Sequence, residues 1–304
     1  MTGMADEPNG IILTTVHDDL ERLDELLGRA LYSHLRGMGR ITEFRRGAVQ
    51  RAFAMYEEAG KTGADELQIG GFGLLVNQRT LLAVEDLGAL IYALSGPSAE
   101  RWTRFSSHNP SDLDTAFEEV VFKRIKVRQL FHLPSDDVIA NAPNLSAVQQ
   151  QAARHLRDIT AEKLKAQLEY VAAYWIFRRE SAKALAHGWT VVAAPHIFDP
   201  PGAGELAEQI PADTPRPFVV ALVSTEDRPK KIVQTKPYLI DLRHEDVEAV
   251  RLTTEIACDL LDTLADTWLT AARSRSDFRL QTTYSQDLPP EERAVLEELK
   301  IDRG

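Results

Sequence analysis

The 304-residue chain predicts an all-α fold: a bundle of about six helices, two of them very long, with a small β insertion at about 189–242 before the last long helix. Three observations carry the prediction. Apolar residues recur every three or four positions up to His187 and again from His244 to Ala272, which is the period of one helical face. Between these stretches, WTVVAA (189–194), PFVVALVS (217–224) and KIVQTKPYLIDL (231–242) have the β-branched composition of short strands. Glycine and proline stop signals, at Gly37, Ser95-Gly96-Pro97 and Gly188, fall where periodic runs end.

Residues 14–36 align Val16, Leu20, Leu23, Leu27, Leu31 and Leu35 on one stripe, with Thr14 or Thr15 as N-cap. Residues 41–59 repeat the pattern through Ile41, Phe44, Ala48, Ala52, Met55 and Ala59. A third helix, 64–94, tolerates Gly70, Gly71, Gly73 and Gly88. Each interior glycine costs up to about 1 kcal/mol, so they imply close helix–helix approach or a kink near its start. Ser111 is the expected cap of a helix reaching about Phe131, with Asp112 and Asp114 favourably placed against its dipole. Pro134 and Pro143 mark a broken connection.

The longest element runs from about 145 to 187, on the order of 60 Å. Its stripe includes Leu156, Leu164, Leu168, Val171 and Trp175. A proline-rich segment at 195–217 reads as a loop or flap. The final long helix, 244–272, carries Val247, Val250, Leu252, Leu260, Leu264 and Trp268. The expected organisation is one helical domain, 1–275, with a β insertion. A loosely attached tail, 276–304, follows with a short helix at 290–299.

An apolar fraction of 44% and a charged fraction of 27% are those of an ordinary soluble protein. No apolar run is long enough to span a membrane, and the first twenty residues lack the pattern of a secretory signal. Cys258 is the only cysteine, so an intramolecular disulfide or a cysteine-rich zinc site is excluded. A reducing, cytoplasmic setting is expected. The net charge of −11 disfavours general DNA binding. Two basic clusters, one of Arg36, Arg40, Arg45, Arg46 and Arg51, the other of Lys123, Arg124, Lys126 and Arg128, are expected to be solvated helix faces. Long helices with exposed apolar faces, Trp175 and Trp268 among them, predict a homodimer.

The chemistry-bearing patterns are few. The Glu-x-x-His pairs of di-iron bundles are absent. His155, Asp158 and Glu162 share a helix face, but the expectation is no metal and no cofactor. No phosphate-cradling glycine loop or G-x-S-x-G elbow occurs, and Cys258 reads as a small core residue. The acids Glu85 and Asp86 interrupt a strongly apolar helix. A buried acid needs a cation, so Glu85 and Asp86 are expected to form a structural or ligand-orienting polar pocket. Their expected partners are Arg45, Arg178 or Arg179, with His187 at the close of the longest helix.

Arg101 and His108 are seven apart and would share a face if helical. Arg29 and His34, five apart, would diverge. About two Arg-x(4–6)-His spacings arise by chance in a chain of this composition, so spacing alone carries nothing. LLAVEDLGALIYAL (81–94), RWTRFSSH (101–108) and LAHGWTVV (185–192) nevertheless resemble the HEPN superfamily of helical bundles, including its abortive-infection branch. The resemblance implies a catalytic pair at Arg101 and His108 acting on RNA without a metal, arginine on the phosphate and histidine as acid–base. Trp102 stands where the family usually has a polar residue, and Ala186 where it has a turn lysine.

Two functions are therefore expected from sequence. The first is a non-catalytic, HEPN-like interaction or binding protein, docking a partner through 195–217 or the cluster near Arg45. The alternative is a metal-independent endoribonuclease or defence-type toxin using Arg101 and His108.

Overall fold

The structure, a computed structural model, describes residues 9–14, 27–64, 66–122, 125–142, 145–186, 191–193, 218–227, 232–241, 244–272 and 279–283. Nine α-helices run through them: α1 (Gly28–Arg36), α2 (Met38–Thr62), α3 (Glu66–Leu94), α4 (Arg101–Ser106), α5 (Pro110–Val121), α6 (Val127–Leu130), α7 (Asp136–Ala140), α8 (Ala147–Ala186) and α9 (His244–Ala272). The architecture of this part is all-α. Its helix count exceeds the expected six because the stretch between α3 and α8 breaks into four shorter helices. Backbone strands β1 (Asn9–Thr14) and β5 (Arg279–Thr283) pair antiparallel. β2 (Val191–Ala193), β3 (Phe218–Asp227) and β4 (Ile232–Asp241) pair antiparallel in that order. The proline-rich 195–217 segment and the residues of the expected 290–299 helix lie outside the described residues, as do most of the residues expected to begin the first helix.

Helix α3 is the central element, touching α2, α4, α5, α8 and α9. Its middle is fully buried at Val84, Leu87, Leu90 and Ile91, which explains why it reads as apolar on all sides. Gly88 permits the approach of α5: a Cβ there would meet Phe117 Cε2 at 2.6 Å and Leu113 Cδ2 at 3.3 Å. Gly88→Ala is expected to destabilise the fold, since overpacking costs about 1–3 kcal/mol against a helix-propensity gain of up to about 1 kcal/mol. Urea unfolding of the variant checks the sign.

Helix α5 is capped by Asn109 rather than Ser111. The Asn109 side chain accepts from the amides of Ser111 and Asp112, and the Asp112 side chain accepts from the Asn109 amide. Pro110 at the first helical position, with φ already set and no N–H to satisfy, goes with a cap two residues further out than expected. The helix stops at Val121, ten residues short of Phe131.

Helices α2 and α9 run antiparallel, joined by a polar ladder. Arg46 reaches Glu255 at 3.1 Å, Asp259 at 2.7 Å and Asp262 at 3.1 Å, and Thr42 Oγ1 donates to Asp262 at 2.7 Å. This ladder rotates α2 relative to the face expected from sequence. Thr42, Val49, Ala52, Phe53, Tyr56 and Ala59 point inward, while Phe44 and Met55 are 59% and 45% exposed. Arg45 and Arg46 are therefore committed to ion pairs rather than to a free basic face. A second reversal concerns the tryptophans. Trp175 donates to Asp114 at 3.0 Å and Trp268 to the Leu130 carbonyl at 2.8 Å, and both are buried. Their indoles serve the internal core and offer no face to a second copy.

Cys258 lies in that core with its thiol directed at the Thr42 carbonyl. Burial pushes the thiol up to about 12, so the folded state favours the protonated form. Its contribution to stability is complete below the unfolded thiol value, about 8.5, and declines as pH rises from there through about 12. At pH 8 the folded protein is expected to be inert to an aromatic disulfide reagent, with one thiol released in urea. Rapid reaction of the folded protein would contradict this placement.

Candidate functional site

Two polar sites lie along α3. At its middle, Glu85 and Asp86 are successive residues and so diverge by about 100° around the helix. Asp86 accepts from Arg45 Nε at 2.8 Å and from Arg45 Nη2 at 3.2 Å, a two-point pair between α2 and α3. Glu85 Oε1 lies 3.9 Å from His108 Nε2. The other His108 ring nitrogen, Nδ1, is 2.7 Å from the Phe105 carbonyl, and the Phe105 ring lies 4.5 Å from that of His34. Burial holds the His34 imidazole below its usual value, with Asp86 pulling it back up. Every member of this group is partly solvated, and ion pairs at such exposure contribute about 0–1 kcal/mol. It ties α1, α2, α3 and the turn after α4 together.

The second site is at the C-terminal end of α3. Pro97, in an extended conformation, prevents the helix from continuing. Arg104 folds back across the break: its Nε donates to the Tyr92 carbonyl at 3.0 Å, and its guanidinium lies 3.8 Å from the Tyr92 ring centroid. A Cβ at Gly96 would run into the Arg104 side chain, so glycine is what lets this clamp close. Arg101 is one turn earlier on the same face of α4. Its guanidinium consequently settles over Trp268 of α9, 4.5 Å from the ring centroid, where burial lowers its proton affinity.

His132 meets the same indole, with ring centroids 4.0 Å apart and planes near perpendicular. It is the only non-glycine residue with positive φ among the described residues, at 48°. The Leu133 amide donates to the Arg128 carbonyl at 2.8 Å and the His132 amide to Gln129 at 3.2 Å, the six-to-one closure that ends α6. That closure wants a left-handed residue, ordinarily glycine. A histidine held there is strained by roughly 1 kcal/mol and is thereby aimed at Trp268. Between these groups lies a cleft of about 450 Å³ lined by Leu94, Arg101, Glu119, Lys126, Gln129, His132 and Trp268.

Arg101 and His108 are thus in different places. Helix α4 ends at Ser106, so the shared helix face does not form. Arg101 sits by Leu94 and His108 by Glu85, nine residues apart on α3, roughly 14 Å along its axis. Arg178 lies near Tyr174 on α8. The Arg179 side chain and His187 lie outside the described residues.

No family model, curated protein or solved structure matches the chain.

Chemically, the two sites differ. Among the described residues, no group of three or more His, Cys, Asp or Glu side chains is placed to hold a metal ion. Asp158, part of the triplet noted in the sequence, is engaged by Arg128 at 2.9 Å and Arg157 at 2.8 Å. No helix among the described residues is long and apolar enough to cross a membrane. In the mid-α3 group Asp86 is paired with Arg45 and Glu85 faces His108. The cleft instead gathers arginine, lysine and histidine around one glutamate, in a concavity large enough for a small molecule. In the sequence Lys126 reads as part of a solvated basic cluster and Trp268 as part of an apolar face, while His132 is not singled out; its signal is a histidine closing a short helix where glycine is usual.

Proposed function

We propose that the protein is a non-catalytic binding protein of HEPN-like lineage, and that its working feature is the cleft at Arg101, Trp268 and His132. The observation that supports binding over RNA cleavage is the division of the arginine–histidine pair. A nuclease of this kind needs both groups on one scissile phosphate, whereas Arg101 rests on Trp268 and His108 faces Glu85. The lineage rests on the resemblance at 81–94, 101–108 and 185–192. In the same reading a small β unit, about 189–242, is inserted between α8 and α9.

The test uses single-stranded RNA incubated with purified protein, Arg101→Ala and His108→Ala. The expected result is the same background level of cleavage in all three. RNA loss that disappears in both variants would overturn the binding-protein reading in favour of an endoribonuclease.

Pairing with a second copy also belongs to this reading. Phe44 and Met55 are eleven residues apart, close to three whole turns, and so lie on one exposed face of α2. Light scattering is expected to give twice the 34.0 kDa chain mass, and a monomer would remove this part.

A further inference from the structure

We propose that the cleft between the end of α3, α4 and the 125–132 segment binds the phosphate group of a small phosphate monoester, held by Arg101, Lys126 and His132. This rests on the binding-protein reading and names the ligand class. An arginine from α4 and a lysine and a histidine from the 125–132 segment line one concavity, against the single carboxylate of Glu119. Leu94 at the end of α3, with Ser95 and Gly96 after it, lies on the same wall, and a helix C-terminus opposes an anion weakly. The whole chain carries −11, so a cation-rich cleft is a local feature that runs against the global field.

Geometry selects phosphate over a carboxylate. A planar carboxylate is satisfied by one two-point arginine, whereas a tetrahedral phosphate offers oxygens in three directions. Arg101 and His132 both pack against Trp268, at 4.5 and 4.0 Å from a ring centroid, and both line the one cleft. Lys126, exposed at the mouth, supplies a mobile point charge. Desolvation of the Arg101 guanidinium raises the gain from an incoming anion. The left-handed His132 is the kind of backbone strain that persists where a side chain must be aimed.

The remainder of the ligand follows from what is left over. A volume of about 450 Å³ exceeds a bare phosphate and falls within the range of small-molecule sites. Ser95, Gln129 and Glu119 suit hydroxyl groups. The Trp268 ring is 3% exposed, so it offers little open face for the base stacking that single-strand recognition ordinarily uses. A phosphorylated sugar fits these walls better than an RNA strand.

Isothermal titration calorimetry at fixed salt tests this with four probes: ribose 5-phosphate, inorganic phosphate, ribose and a single-stranded RNA oligomer. The expected order is ribose 5-phosphate tighter than inorganic phosphate, with ribose silent. Lys126→Ala and His132→Gly are each expected to weaken ribose 5-phosphate at least about tenfold, the loss of one charge-assisted hydrogen bond. His132→Gly keeps the fold, because glycine is the residue its left-handed position prefers, and circular dichroism confirms this. No heat from either phosphate probe up to about 10 mM overturns the proposal. Unchanged affinity in both variants overturns the site, and inorganic phosphate binding as tightly as the ester overturns the ester. RNA binding tighter than ribose 5-phosphate, lost in the same variants, replaces the ligand class. RNA cleavage would instead strike the binding-protein reading itself, whatever the phosphate probes show.

Discussion

Trp268→Ala is expected to lower stability by about 3–5 kcal/mol, the range for deleting a large buried aromatic, and to open the cleft as it does so. The indole is 3% exposed, packed in the main core of the bundle, and its Nε1 donates to the Leu130 carbonyl at 2.8 Å. Three losses therefore coincide. A cavity replaces the ring, the Leu130 carbonyl at the end of α6 loses its donor, and Arg101 and His132 lose the surface that positions them. In a domain of this size each kcal/mol shifts the melting midpoint by roughly 2–4 °C, so the shift should be unmistakable in a thermal scan. Trp268→Phe helps to separate the terms: it keeps one aromatic ring in the core, lacks the donor and the five-membered ring, and its loss is expected to be clearly smaller. Equal losses in the two variants would place the stabilisation in the hydrogen bond and not in the packing.

Arg157→Met has the second largest expected effect, about 2–4 kcal/mol, from the loss of charged hydrogen bonds at a buried site. Arg157 is 3% exposed. Its Nη1 donates to the Pro134 carbonyl at 3.2 Å and to Asp136 at 2.8 Å, while Nε donates to Asp158 at 2.8 Å. One side chain on α8 thus fastens the loop and short helix that follow His132. Methionine conserves most of the apolar stem, so the loss reads the guanidinium. The same guanidinium holds the Asp136 carboxyl below its usual range. A depressed carboxyl stabilises the fold above its unfolded value and ceases to do so as pH falls through its folded value. The gap between wild type and Arg157→Met is therefore expected to narrow on acidification below about pH 4, as urea midpoints across pH would show.

What the sequence made legible follows contact range. The long helices α2, α3, α8 and α9 were readable because a periodic apolar stripe is a local signal, and their ends fell within a few residues of the expected ones. The choice of face on α2 was not readable. Two registers of that helix are nearly as apolar, and what decides between them is the reach of Arg45 to Asp86 and of Arg46 to the acids of α9, pairs more than forty residues distant in sequence. The burial of Trp175 and Trp268 was hidden for the same reason, because each indole finds its acceptor on a different helix or loop.

The candidate site divided along the same line. That Asp86 would need an arginine followed from elementary electrostatics, and Arg45 was among the candidates. Arg101 and His108 attracted notice because they are close in sequence, yet the chain turns between them at Ser107 and sends them to different neighbours. Arg101 shares its cleft with His132, thirty-one residues on, through an indole on α9. Nothing in local spacing encodes that meeting. It depends on Gly96 admitting Arg104 across the helix break and on a left-handed turn after α6.

The pairing of Arg101 is also the most direct test of the functional reading, and it can be measured without a ligand. Two double-mutant cycles in urea compare Arg101→Met with His132→Gly, and Arg101→Met with His108→Ala. Residues that share a partner couple by about 0.5 kcal/mol or more, whereas distant ones add within about 0.3–0.5 kcal/mol. The first cycle is expected to show coupling through Trp268, and the second to be additive. Coupling between Arg101 and His108, with none between Arg101 and His132, would contradict the cleft and return the arginine–histidine pair to the centre of the site.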